Sequence, residues 1–521
     1  MRHPGLRARR RTCYQKLYCL LAAPKANEGR EPVSLNNIAH FVVLMLENRS
    51  FDGMLGKLYP AGPDFDGLTG TESNPNPPGP PVPVWNAPPD TSGPTMRIPD
   101  PDPGELWTDI NVQIYGTANV PSPSPPQPPL PPMSGFIEDY LAQAETAPGE
   151  YDPKSVMHYF VPEQVPVISK LATQFAVSDR WFAAAPCQTW PNRFFVHAAT
   201  AGGRQNNAPI DFLDATTIFN RFEKAGNPNW KIYYGDLAQA HALSQLLVLA
   251  THFHPYTAFL QDAQAGTLPT YSFIEPRYFA GFTDLPNDQH PPHNVTLGEQ
   301  LIASTYNALR AGPKWTKTLL IIVYDEHGGC YDHVGPPLAT PPGPAPTAPF
   351  NFDRYGVRIP AVLVSPYIAQ GTKLRPTGNV PYDHTSIIAT LRKRFPELGG
   401  PLTDRDASAP TFDNALTLPA PTNLGPPKVR VVQPVHPTPV DLAKAHAVPV
   451  NDMQRALVHL AASLPNTAGA DFQAAAQSHL LQLEAAAPQA LVPALGTLDV
   501  GSAAAFVQKK RDDFFSGLHH P

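Results

Sequence analysis

Two stretches carry the longest unbroken apolar patterns in the chain, and both end in acid. Phe41 to Leu46 is apolar at every position and runs straight into Glu47, Asn48, Arg49 and Ser50. Leu319 to Tyr324 repeats the design and is followed by Asp325, Glu326, His327 and two glycines. A short continuous apolar run bounded by turn signals fits a strand buried on both faces. In an open α/β sheet, ligands gather at the carboxyl ends of the strands. The pattern therefore places Glu47, Asn48, Asp325 and Glu326 where such a sheet presents its chemistry.

The remaining pattern alternates between strand and helix periods. Strands are predicted over about 39–46, 176–182, 230–234, 271–276, 318–324 and 359–365. Helices are predicted over 105–115, 134–143, 165–175, 193–200, 218–222, 297–309 and 385–395, with Ser134 as a cap and Pro166 in a first turn. Residues 176–200 read as strand, polar turn, helix, and the turn holds Cys187, Thr189, Asn192 and Arg193. This alternation is that of an α/β protein. Residues 36–420 are read as one main domain. From about 421 the character changes. A strand is predicted over Lys428–Val432, then helices near 451–463, 470–486 and 500–517, making 421–521 a mostly helical C-terminal region.

Composition narrows the function classes. The chain has 521 residues and 66 prolines, against a usual ~5%. The excess falls in insertions at about 59–103 and 121–132, read as stiff surface loops rather than docking ligands. With 42% hydrophobic residues the chain is not generally disordered. A net charge of −6 provides no basic field for nucleic acid. The four cysteines, at 13, 19, 187 and 330, form no CxxC pair, so neither a cysteine zinc site nor a disulfide framework is expected. Cys187 and Cys330 are expected as small buried residues at the rim of one site. Residues 1–35 form a tail in which Arg7, Arg9, Arg10 and Arg11 precede Leu17–Ala23, the pattern of an export signal with a short apolar core. No run of ~18 apolar residues is present to span a membrane.

The polar residues of interest are Glu47 with Asn48, Thr189 with Asn192 and Arg193, His290 and His293, Asp325 to His327, Asp332 with His333, and Asp383 with His384. Each has a bland reading as a cap, a turn or a solvated side chain. Jointly they fall on loops after predicted strands. Glu47–Asp52, Thr189–Arg193, Asp325–Gly329 with Asp332 and His333, and His384–Ile387 resemble the motifs of the bacterial phosphoesterase family of phospholipase C and acid phosphatase type. That family belongs to the alkaline phosphatase-like superfamily. Ser134–Ile137 and Ile274–Tyr278 also fit, and the resemblance spans about 36–410.

The resemblance implies a three-layer α/β/α sandwich, here with a small C-terminal helical appendage, and hydrolysis of phosphate esters. It implies that Glu47, Asn48, Asp325 and Glu326 hold a metal, with Thr189 as nucleophile and further ligand. Oxygen ligands favour Ca²⁺, Mg²⁺ or Mn²⁺, with Zn²⁺ open because histidines are near. A cation there would activate an otherwise poor hydroxyl nucleophile and neutralise phosphate oxygens. His290, His293, His333 and His384 are candidates for phosphate contact or for protonating the leaving group, and Arg193 for binding a phosphate oxygen. The substrate is then a small phosphomonoester or a phosphodiester with a phospholipid headgroup. A choline group calls for an aromatic cage, with Trp190, Tyr278, Tyr331 and Phe182 as candidates.

Family resemblance places the protein outside the cytoplasm, secreted or periplasmic, and a tail that is not a signal would leave it cytoplasmic. The oligomeric state stays open. Two departures stand out. Where related enzymes often carry a histidine, this chain has Glu105, and a carboxylate repels phosphate unless it is neutralised. The region after 420 does not resemble the paired β-domains of haemolytic phospholipases. A sulfatase needs Cys or Ser in a Cys/Ser-x-Pro-x-Arg context, which the Cys187 stretch lacks. The alternative from another class is a catalytically silent surface or binding protein that retains the fold.

Overall fold

The centre of the molecule is a pair of adjacent parallel strands, β1 (His40–Leu46) and β8 (Thr318–Tyr324). They pair from His40 opposite Thr318 to Leu46 opposite Tyr324, so Glu47 and Asp325 leave the sheet at the same level. All seven residues of each strand are buried, as their uninterrupted apolar pattern requires. The other strands are β2 (Ser73–Asn74), β3 (Val82–Pro83), β4 (Ala176–Ser178), β5 (Trp230–Tyr234), β6 (Phe253–Pro255), β7 (Tyr271–Ile274), β9 (Ala361–Val364) and β10 (Thr372–Lys373). Eight of the ten form one sheet in the order β10-β4-β9-β8-β1-β7-β5-β6. Only β9 runs antiparallel to its neighbours β8 and β4. The computed structural model describes residues 35–88, 93–121, 130–145, 149–207, 212–343, 350–465 and 498–516. The tail before 35, most of the proline run at 121–132 and the helix expected at 470–486 lie outside these residues.

Two groups of helices cover the sheet. Pro166–Gln174, Tyr256–Ala265 and Val295–Ala311 pack together, as do Thr189–Ala198, Thr385–Arg394 and Asp404–Ser408. This is the α/β sandwich expected from the alternating pattern. The C-terminal helices Asp452–Ser463 and Val500–Ser516 pack on each other. Their Met453, Leu457, Val507 and Phe514 join the same hydrophobic cluster as the central strands. No helix among the described residues is long and apolar enough to cross a membrane.

Three elements differ from expectation. The helix predicted from 193 begins at Thr189, because Pro191 sits in its first turn, where a missing N–H costs nothing. Lys428–Val432 is not a strand. The side chain of Asn307 takes both backbone groups of Val429, donating to its carbonyl at 2.8 Å and accepting its N–H at 2.9 Å. An amide side chain thus stands in for a neighbouring strand. The helix Pro439–His446, capped by Thr438, was not anticipated among the surrounding prolines.

Burial of histidine sets an acid limb for stability. His241 is fully buried and neither ring nitrogen finds a hydrogen bond, while its ring stacks 3.9 Å from Phe253. Burial pushes this imidazole down to about 3. The unfolded chain takes up the proton near ~6.5 and the folded chain does not until far lower, so stability falls as pH drops through that window. His241→Phe removes the effect. The loss of urea midpoint between pH 7 and pH 5 should be smaller in the variant than in the wild type, and an equal or larger loss would contradict this assignment.

Candidate active site

The ends of β1 and β8 turn into one another. Asn48 adopts a left-handed conformation (φ 57°), as does Gly328 (φ 60°). A Cβ at Gly328 would lie 2.3 Å from the Asn48 carbonyl oxygen, so only glycine lets the two turns approach. The Asn48 N–H donates to Asp325 Oδ1 at 3.0 Å, and the Glu326 N–H donates to the same oxygen at 2.7 Å. Asn48 Nδ2 donates to Glu105 Oε1 at 2.6 Å. That bond fixes the amide so that its Oδ1 accepts from Thr189 Oγ1 at 3.2 Å. Thr189 is the first residue of its helix and is fully buried. A helix N-terminus favours negative charge, the sign that develops on an attacking hydroxyl.

Arg193 lies one turn along, and its Nη1 finds no hydrogen-bond partner. It is fully buried, with Nη2 3.2 Å from Glu47 Oε1 and Nε donating to Asp325 Oδ2 at 3.3 Å. Its guanidinium lies 5.7 Å from the Tyr278 ring centre. Burial raises the Glu47 and Asp325 carboxyls above their ordinary range, and Arg193 pulls both back down. Burial also holds Glu326 well up, with Glu105 and Asp325 adding to the rise. Neither oxygen of Glu47 accepts a hydrogen bond, nor does Glu326 Oε1, although all are buried. Buried charges require partners. The oxygens on Glu47, Asn48, Thr189, Asp325 and Glu326 are of the chemical kind a hard divalent cation takes, and the buried carboxylate oxygens without a hydrogen bond suit one.

The sequence-predicted histidines divide. His290 is buried against Glu105, with Nε2 3.5 Å from Oε1, while Nδ1 donates to the Pro291 carbonyl at 2.7 Å and lies 3.6 Å from Asp102 Oδ1. Burial alone would lower it, but the Asp102 and Glu105 carboxylates outweigh burial and hold it well above its ordinary value. His293 is half-buried and sits 2.7 Å from Asp288 Oδ1. Nε2 of His384 donates to the Asp325 carbonyl at 2.6 Å. Its Nδ1 is therefore the unprotonated nitrogen, and burial lowers the ring to about 4. His333 belongs to a different cluster. Its Nδ1 is 2.6 Å from Asp52 and its Nε2 3.2 Å from Asp66, while Arg358 bridges Asp52 and Asp332.

Asp102 was missed, and Glu105 was noted only as a departure. With His290 they bring one ligand atom each within 4.8 Å of one another. Asp102 falls in the insertion at 59–103 read as a stiff loop, whereas Glu105 opens the helix predicted over 105–115. The aromatic candidates do not form a cage. Trp190 Nε1 donates to Met453 Sδ at 2.9 Å, and the Tyr278 hydroxyl donates to Glu275 at 3.0 Å. Tyr331 packs on Phe136 and Phe182 on Tyr355. Cys187 and Cys330 are free and buried, and burial pushes the Cys330 thiol up to about 11.

Buried carboxylates thus stand at the ends of adjacent central strands, and the Thr189 hydroxyl, at the start of its helix, bonds to the amide of Asn48. The chain belongs to the Phosphoesterase family, whose model matches residues 38–396. It is a hydrolase acting on phosphoric ester bonds. Non-specific phospholipase C6 of Arabidopsis thaliana is 38% identical over 419 residues, covering 77% of this chain and 76% of that protein. Non-specific phospholipase C4 of the same plant is 35% identical, covering 85% and 82%. Phospholipase C A of Mycobacterium tuberculosis (strain CDC 1551 / Oshkosh) is 28% identical, covering 70% and 74%. Among solved structures, the lipoteichoic acid synthase LtaP from Listeria monocytogenes overlaps 49% of this chain and 69% of that one at a TM-score of 0.31 and 12% identity.

Metal binding has a readout independent of catalysis. A ligand that binds only the folded state raises the melting temperature. Mn²⁺, Mg²⁺ or Ca²⁺ added to chelator-treated protein is expected to do so, and Glu47→Gln should abolish most of the shift. Equal shifts in both proteins would remove Glu47 from the ligand set.

Proposed function

We propose that the protein hydrolyses phosphodiesters of the phospholipid class through a covalent phosphothreonine at Thr189. The observation that carries this reading is the hydrogen-bonded chain from Thr189 through Asn48 to Asp325 and Glu105. Asn48 Oδ1 can hold the Thr189 proton but cannot remove it, because an amide oxygen is not a base at neutral pH. Acidification of the hydroxyl must therefore come from local positive charge. A divalent cation held by Glu47, Asn48, Thr189, Asp325 and Glu326 would supply that charge and would offset the phosphate oxygens in the transition state.

The residues then take distinct roles. Thr189 Oγ1 gives its proton to solvent water and forms the bond to phosphorus as the phosphorus–oxygen bond to the alcohol breaks. His290, kept protonated by Asp102 and Glu105, gives its Nε2 proton to that alcohol. A water then cleaves the phosphothreonine, returning the hydroxyl. Arg193 fixes the carboxylates of Glu47 and Asp325, and His384 fixes the Asp325 backbone. His333 buttresses the helix that follows Ser50 through Asp52. The relatives named as non-specific phospholipases C favour a phospholipid.

Thr189→Ala should lower turnover of p-nitrophenyl phosphate and p-nitrophenylphosphorylcholine by at least ~10³-fold, since it removes the bond-forming atom, while the fold stays intact. Wild-type rates in that variant would move the reaction to an activated water. His290→Gln should be selective. A general acid contributes ~10²–10⁴-fold, and p-nitrophenolate needs little protonation to depart. The variant is expected to lose far more activity on an alkyl phosphodiester than on the p-nitrophenyl ester. Equal losses on both would take the acid role from His290.

A further inference from the structure

A cavity of about 560 Å³ lies beside the catalytic group, and Asp102 and His293 form part of its lining. One wall is the segment around Ala280 and Leu285, and the other is the helix Pro439–His446 with the turn that follows it. The two walls are tied together. His446 Nε2 lies 3.2 Å from the Ala280 carbonyl and 3.1 Å from that of Gly281. Three of the exposed apolar side chains among the described residues stand on or next to these walls. Phe282, at the tip of the turn closed by the Gly281 N–H to Asp284, is 79% exposed. Val440 is 61% and Val448 49% exposed. Val440 and Lys444 are one turn apart on the helix, and Lys444 lines the cavity, as does Val448 in the turn that follows.

We infer that this mouth is a docking face for a zwitterionic phospholipid surface, a conclusion that rests on the phospholipid reading above and names where the enzyme meets its substrate. Exposed apolar side chains at the entrance to a site insert into the boundary layer of a bilayer, and an aromatic ring at a loop tip suits the headgroup level. Charge supports the same surface. Arg97 and Lys444 line the cavity beside Asp100 and Asp441. Cations and carboxylates side by side match headgroups that carry phosphate and ammonium together. A strongly anionic surface gains nothing from such a mixed mouth, or from a chain of net charge −6. A second copy of the chain seated here would stopper the cavity that Asp102 faces, whereas a fluid lipid surface both covers the patch and delivers substrate.

The test is the double variant Phe282→Asp/Val440→Asp, whose two positions are exposed and outside the catalytic group. Sedimentation with phosphatidylcholine vesicles should fall at least tenfold, and hydrolysis of vesicle phospholipid should fall with it. Hydrolysis of soluble p-nitrophenylphosphorylcholine should stay within twofold of wild type. Leu338→Asp, at an exposed apolar residue elsewhere, should change none of these. Wild-type vesicle binding in the double variant overturns the proposal, as does wild-type protein that binds only anionic vesicles. A dimer that the double variant dissociates would give the face to a second copy instead. Absence of soluble-ester hydrolysis in the wild type, with vesicle binding still lost in the variant, would defeat the catalytic reading while supporting the docking face.

Discussion

The register of β1 against β8 is the constraint on which the rest depends. It delivers Glu47 and Asp325 side by side into an interior from which water is excluded. Two unit charges 4 Å apart interact by about 4 kcal/mol at the effective dielectric of a protein site, and desolvation costs several kcal/mol per ion. Packing cannot offset this, because apolar contacts do nothing for charge. The buried guanidinium of Arg193 reaches both acids. Glu326 receives the Gly328 N–H on one oxygen and no hydrogen bond on the other. The remaining negative charge is what the proposed cation would offset.

That demand reaches into elements far from the strand ends. Arg193 is carried by the helix that begins at Thr189, so the residue that balances the acids also sets the rotation that aims the hydroxyl at Asn48. Its guanidinium rests over Tyr278, whose carbonyl accepts from Gln454 at 2.8 Å. Trp190, beside Thr189, donates to Met453. The C-terminal helix thus touches residues adjoining both the hydroxyl and the balancing charge. It is coupled to the site by direct contact, and loosening it would loosen the helix on which Thr189 stands.

Much of this was legible in the sequence where physics acts locally. Strands buried on both faces must be apolar throughout, so β1, β8 and the acids after them could be read directly. What could not be read is side-chain direction. Asp332 and His333 follow the Asp325 loop closely in sequence, yet the His333 ring turns toward Asp52 and Asp66. Arg193, a candidate for phosphate contact, is buried and turned onto Glu47 and Asp325, a direction its place in the helix does not reveal. Asp102 and Glu105 sit in a stretch whose prolines dominate its pattern, and nothing local distinguishes an acid aimed inward from one in solvent.

Glu105 shows why the local reading fell short. Considered alone, a carboxylate where related enzymes often have histidine would repel the phosphate. In place, its oxygen accepts from Asn48 Nδ2 and faces the protonated His290. The first bond leaves Asn48 Oδ1 directed at Thr189, because an amide has one acceptor oxygen and its nitrogen is already committed. The second contact sets a carboxylate against the His290 ring, which raises its affinity for a proton. One substitution therefore orients the amide that faces Thr189 and shapes the surroundings of His290. Both effects depend on groups more than fifty residues apart in sequence, which only the folded sheet brings together.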